Sequence, residues 1–299
     1  MPARLSVYPP DSPALIRVLE DGVSYRIGRS QECEIRVEHF SVSRFHAELR
    51  GAAAVWTVHD TGSKNGLRVG GQRAKQISLN AATWFTAGDV YCWFELTDIA
   101  TAAAFKARED LRRSSSRSLS QRLMPSFGIA TLIPQTLDLV LELSGLERGF
   151  MLYADAGEPL RVRAARGIGA DDIASRSFSG SAAAVDRALR ERRSVVCCDT
   201  GASPWLGVRP SVRLGGIRAL VCVPLQVDGG ALGVVYADSR KPGPPITELD
   251  LELIGNVADQ AAAAMAARRL QDDMADVLKS AADAGLAAPL WDTLRGHEE

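Results

Sequence analysis

The sequence predicts two domains, an all-β sandwich followed by an α+β domain built on an antiparallel sheet and ending in a long helix. Three observations carry that expectation. The 299 residues suit two domains of roughly 100 to 150 residues each. Residues 13–98 break into short β-rich runs separated by Gly, Asn and Asp turns, the pattern of a sandwich or barrel. From about residue 127 helical periodicity alternates with strand-like runs, as in an α+β domain.

Within 13–98 the runs are "LIRVLEDG", "SYRIGRS", "EIRV", "FHAELRG", "VWTVHDTGS", "GLRVGG" and "WFTAGDVYCWFEL". Residues 99–126 carry clustered Ser and Arg without a strong apolar stripe and stop at Pro125, so they read as a linker, helical in part through "AAAFKARED". Its "RRSSSR" run has the composition of a basophilic kinase site and equally that of a solvated linker. Residues 127–270 then give a helix in "TLIPQTLDLVLELSGL", strands in "GFMLYAD" and "LRVRAARG", a helix in "SAAAVDRALRERR" and a strand in "SVVCCD". A hairpin follows, turning at Asp228, Gly229 and Gly230. "TELD" is a variant capping box, with Asp250 three residues after Thr247. The helix it opens sets Leu249, Leu253, Val257, Ala261 and Met265 near one face, then runs on into a C-terminal helix and tail over 271–299. That extension has little of its own domain left to pack on, which predicts a homodimer.

Composition narrows the function. Lys plus Arg number 35 against 36 Asp plus Glu, a formal net charge of −1, so bulk charge draws the chain to neither nucleic acid nor an anionic membrane. The start lacks a secretory h-region and no run reaches the length of a membrane span, from which a cytoplasmic protein is expected. The Ala and Arg bias suits a GC-rich bacterial genome. Five cysteines without CxxC spacing suggest neither a disulfide framework nor a zinc site, and no metal is expected. The histidines are His39, His46, His59 and His297; none lies in 127–270, which argues against a histidine-ligated haem there. No phosphate-binding GxxxxGK[ST] loop and no kinase catalytic loop is present, so the chain reads as a non-enzyme.

Three stretches of the first segment belong together: "IGRS" at 27–30, "SVSRFH" at 41–46 and "TGSKNG" at 61–66. As inter-strand loops they pool guanidiniums, hydroxyls, an ammonium and an amide, an inventory for holding a phosphate and a peptide backbone. In this order and spacing they resemble the forkhead-associated (FHA) domains, which bind phosphothreonine peptides. The resemblance covers residues 13–98. It implies that Arg29 and Ser43 are phosphate ligands, that Arg44 adds a further phosphate contact and that Asn65 holds the peptide main chain. Gly28, His46 and Gly66 match positions that shape the loops. Lys64 departs from the pattern, standing where many members have Thr, so its ammonium either meets the ligand or faces solvent.

Residues 127–270 resemble the GAF family of sensory domains, in "GLERGFMLYAD", "AARG", "IRALVCVPLQVDGGALGVVYADS" and "ELDLELIGNVADQAA". The resemblance implies fold more than ligand, since members bind varied small molecules or only dimerise. The family's cyclic-nucleotide signature is not visible and no cofactor is assigned. Some members are free methionine sulfoxide reductases that use cysteines, which gives Cys197, Cys198 and Cys222 an alternative role in a redox enzyme or sensor. Against it, Cys222 sits in a core-like strand and Asp199 would raise a neighbouring thiol pKa.

Together these readings predict a signalling adaptor of which the first domain docks onto a phosphothreonine protein, itself a Ser/Thr kinase or the substrate of one. The second senses a small molecule or joins two copies.

Overall fold

The computed structural model describes residues 1–53, 55–120, 128–155, 157–169, 180–228 and 230–283. Gly229 of the expected hairpin turn, the end of the 99–126 linker and the tail from residue 284 lie outside the described residues, as do the side chains of 115–117 in the "RRSSSR" run.

Eleven short strands build the N-terminal sandwich, in chain order β1 (Ala3–Tyr8), β2 (Leu15–Leu19), β3 (Ser24–Gly28), β4 (Ile35–Arg36), β5 (Ala47–Ala52), β6 (Val55–Asp60), β7 (Leu67–Val69), β8 (Gln72–Ala74), β9 (Gln76–Ser78), β10 (Thr83–Ala87) and β11 (Val90–Leu96). One sheet runs β2-β1-β11-β10-β7-β8 and the other β4-β3-β5-β6-β9. Pairing is antiparallel except where β4 lies parallel to β3. Alternate residues point inward, and the space between the sheets is filled by Trp56, Phe85, Phe94, Leu5, Leu49 and Leu67, all essentially buried. Each such side chain contributes roughly 1.5–3 kcal/mol on burial.

The sandwich starts ahead of residue 13. β1 pairs with β2 on one side and β11 on the other, and its Ala3, Leu5 and Val7 are fully buried. "ARLSVY" does alternate, but with only three apolar residues before a Pro-Pro stop its pattern is too short to stand out.

Residues Ile99–Ser120 form helix α1, more helix than the partly helical linker expected. Asp98 caps it, accepting from Thr101 N at 2.7 Å. Packing supplies what the missing stripe does not: α1 lies against the last helix, with Arg112 bonded to Asp250 and Arg113 to Glu252.

The second domain opens with α2 (Ile129–Ser144), stopped by Gly145 at φ 65°. Its sheet has the order β13-β12-β16-β15-β14, all antiparallel, from β12 (Arg148–Tyr153), β13 (Arg161–Arg166), β14 (Val195–Cys197), β15 (Ala219–Val227) and β16 (Gly230–Ser239). Short helices α3 (Ala182–Glu191) and α4 (Pro210–Gly215) precede the final helix α5 (Glu248–Asp283). The capping box of α5 closes reciprocally: Thr247 N donates to Asp250 Oδ2 at 2.8 Å and Asp250 N to Thr247 Oγ1 at 3.2 Å. α2 and the first half of α5 cover one sheet face with Leu132, Leu137, Ile254, Val257 and Met265. Phe150, Val185, Leu206, Val234 and Tyr236 form a second core on the other face. Beyond that cover, Leu270, Met274, Val277 and Leu278 of α5 are exposed.

The β1–β2 connection ties the halves together. Ala14 N donates to Ile246 O at 2.8 Å, Glu248 N to Ala14 O at 3.0 Å and Cys198 N to Pro10 O at 3.1 Å, with Arg17 paired to Glu248.

Candidate functional site

At one end of the sandwich, the loops after β3, before β5 and after β6 are laced together by their backbones. Arg29 N donates to Ser43 O and Ser30 N to Arg44 O, both at 3.0 Å. This close approach explains Gly28: a Cβ there would sit 2.2 Å from the Arg44 carbonyl oxygen.

Ser43 stands at the centre. Its hydroxyl oxygen accepts from Lys64 N–H at 3.0 Å, so its own proton is free to donate outward. Its backbone N–H donates to His46 Nδ1 at 3.1 Å. Since Nδ1 accepts, the ring proton sits on Nε2, which donates to Gly66 O at 3.1 Å. Burial pushes the His46 pKa down and keeps the ring neutral. The imidazole thus braces the Ser43 loop against the loop after β6. Asn65 donates from Nδ2 to Ser41 O at 2.7 Å, leaving its Oδ1 and second amide proton for another chain. Gly66 adopts φ +78°, a conformation that favours glycine.

The charges are arranged unevenly. Around these loops Arg26, Arg36 and Arg50 pair with Glu34, Glu38 and Glu48. Arg29, Arg44 and Lys64 are exposed, and among the described residues none of the three pairs with a carboxylate. Exposed guanidiniums without a local carboxylate, on loops that also carry a half-buried hydroxyl, are the donor types that an oxyanion requires.

Two contributors carry no family signature in the sequence reading. Asp60 holds the "TGSKNG" loop, accepting from Gly62 N, Ser63 N and Ser63 Oγ at 2.9, 2.7 and 3.0 Å. Burial raises its pKa, but these hydrogen bonds outweigh that and leave it below the usual carboxylate value. Arg73 closes the loop from β8, donating to Lys64 O at 2.8 Å. An Asp directly before T-G-S is a local turn signal that could have pointed to Asp60; nothing local points to Arg73.

A family model for the FHA domain matches residues 25–89, and one for the GAF domain matches residues 128–266. The chain carries an FHA domain followed by a GAF domain. Solved structures similar to it include the FHA domain of the CT664 protein from Chlamydia trachomatis, 26% identical over 33% of this chain and 100% of that one, with TM-score 0.31. The first FHA domain of Rv1747 from Mycobacterium tuberculosis is 28% identical over 33% of this chain and 100% of that one, TM-score 0.29. A GAF domain/HD domain protein from Geobacter sulfurreducens is 18% identical over 48% of this chain and 94% of that one, TM-score 0.38. No curated protein matches the chain. An FHA domain joined to a GAF domain points to a signalling adaptor.

The GAF domain's thiols sit in the opposite kind of setting to the FHA loops. Cys197 and Cys222 are fully buried, and burial pushes both thiols well up. Cys198, just past β14, is pushed up to about 11, chiefly by burial. Thiolate chemistry needs the reverse shift. What the sequence reading missed here is a buried ion pair: Arg148 grips Asp238 through Nε at 2.5 Å and Nη2 at 3.1 Å. Among the described residues no cluster of His, Cys, Asp or Glu could hold a metal, and no helix is long and apolar enough to cross a membrane.

Proposed function

We propose that the protein is a non-catalytic signalling adaptor whose FHA domain, within residues 13–98, binds phosphothreonine on a partner protein that is a Ser/Thr kinase or the substrate of one. The observation that carries this reading is the pair of unpaired guanidiniums, Arg29 and Arg44, beside a Ser43 hydroxyl whose lone pair is already engaged by Lys64 N–H. In the bound state Arg29 and Arg44 donate to phosphate oxygens and Ser43 O–H donates a third bond. Asn65 pairs with the peptide main chain through the groups that Ser41 leaves free. Lys64 contributes its backbone to Ser43, and its ammonium adds charge at the rim. Gly28, His46 and Gly66 set the loop shape.

The GAF domain, within 127–270, together with the helix beyond it, supplies the contact between two copies. The exposed apolar residues Leu270, Met274, Val277 and Leu278 follow the three- and four-residue spacing of a helix–helix seam. Two phosphopeptide sites in one dimer raise avidity through effective concentration where a partner can engage both.

The test is affinity capture from cell lysate with wild-type protein and with Arg29→Ala, before and after phosphatase treatment. A partner retained only by the wild type, and only while phosphorylated, is expected. Equal capture by both forms contradicts the proposal.

A further inference from the structure

The FHA loops do not end at the phosphate-binding residues. Upstream of Ser43, residues 38–40 form one wall of a cleft of about 460 Å³ whose other wall is the GAF domain. Glu38, His39 and Phe40 face Arg187, Arg193 and Trp205 across it. Clefts between domains are preferred places for ligands. Phe40 is three residues from Ser43 and 74% exposed; three residues of chain span at most about 11 Å. A hydrogen-bonded link joins this wall to the peptide-holding amide, since His39 Nδ1 and Ser41 Oγ lie 2.8 Å apart and Ser41 O accepts from Asn65.

The GAF wall is basic. Arg187, Arg190 and Arg193 share one carboxylate, Glu191, at 3.0, 3.8 and 2.8 Å. Arg187 also lies over the Trp205 ring at 4.7 Å, and the indole Nε1–H of Trp205 is buried with no partner among the described residues. Of the carboxylates in the lining, Glu38 is paired to Arg36, and Asp11 has one oxygen buried. Three guanidiniums against the single carboxylate Glu191 leave the GAF wall with excess positive charge, next to the Trp205 ring.

We infer that the cleft is a second subsite for the same partner: the segment flanking the phosphothreonine carries acidic residues, and Arg187 and Arg193 of the GAF domain receive them. This rests on the phosphothreonine reading of the FHA loops. Acidic residues on one side of the phosphothreonine pair with these guanidiniums. The GAF domain then contributes to partner selection directly.

Fluorescence anisotropy on the full chain tests this, with phosphothreonine peptides flanked on either side by Asp and Glu, by Ala, or by Lys. At low ionic strength the wild type should bind one acidic-flank peptide roughly tenfold more tightly than the Ala-flank peptide, the scale of a charge-assisted contact. Arg193→Glu combined with Arg187→Gln should abolish that preference and improve the Lys-flank peptide, with Ala-flank binding unchanged. That unchanged binding, with an unaltered melting curve, shows that the variant is folded. The inference is overturned if the Ala-flank peptide binds but acidic flanks give no preference, or if the preference survives in the double variant. Should no phosphothreonine peptide bind the wild type, the reading of the FHA site itself falls and takes this inference with it.

Discussion

The FHA loops and the GAF interior hold comparable polar chemistry in opposite environments. Arg29 and Arg44 stand exposed and unpaired in loops braced by backbone hydrogen bonds, whereas Arg148 is buried and bidentate to Asp238. The difference separates a charge available to a ligand from a charge consumed by the fold. A buried, paired guanidinium has no valence left for a partner. An exposed one, held in place without a counter-ion, has already forgone the local pair and is ready for an external anion.

The largest effect that would sharpen this contrast comes from the interior. Arg148→Ala leaves Asp238 buried and uncompensated, and should destabilise the protein by about 3–5 kcal/mol, read by urea denaturation. The fraction that stays folded should keep its phosphopeptide affinity. A loss below about 1 kcal/mol, the range of surface pairs, would break the distinction.

A smaller effect concerns pH. Burial lowers the pKa of His46, and of His39. Between the folded value and the unfolded value of about 6.5 the unfolded chain binds more protons than the folded one. Stability is therefore full above about pH 6.5, declines as pH falls toward the folded value, and levels off once the folded imidazole is protonated as well. His46→Gln should reduce the slope of melting temperature against pH over that window. An unchanged slope contradicts the buried, neutral role given to the ring.

The smallest effect is a null one. Cys197, Cys198 and Cys222 have thiols raised by burial, so none should react with a thiol-specific reagent at mildly alkaline pH until denaturant is added. Rapid labelling of a GAF thiol in the folded protein would revive the redox alternative.

Legibility in the sequence tracks how local each feature is. The turn-bounded strands, the "TELD" box and the three polar loops are written in contiguous residues, and the structure places "IGRS", "SVSRFH" and "TGSKNG" side by side. β1 escaped because three alternating apolar residues do not outweigh the noise of a short window. α1 escaped because its stability comes from Asp98 and from packing against α5 rather than from its own stripe. The Arg148–Asp238 pair is set by strand register across 90 residues of chain, and Arg73 reaches the "TGSKNG" loop from a separate strand. Neither leaves a local mark.

In the proposed complex the guanidiniums of Arg29 and Arg44 and the Ser43 hydroxyl receive a phosphothreonine. Anisotropy titration of matched Thr and phosphothreonine peptides against wild type and Arg29→Ala tests it most directly. Saturable binding of the phosphorylated peptide alone, weakened at least about tenfold by Arg29→Ala as loss of a charge-assisted bond requires, is the expected result. Equal binding of phosphorylated and unphosphorylated peptides, or an affinity untouched by Arg29→Ala, would contradict it.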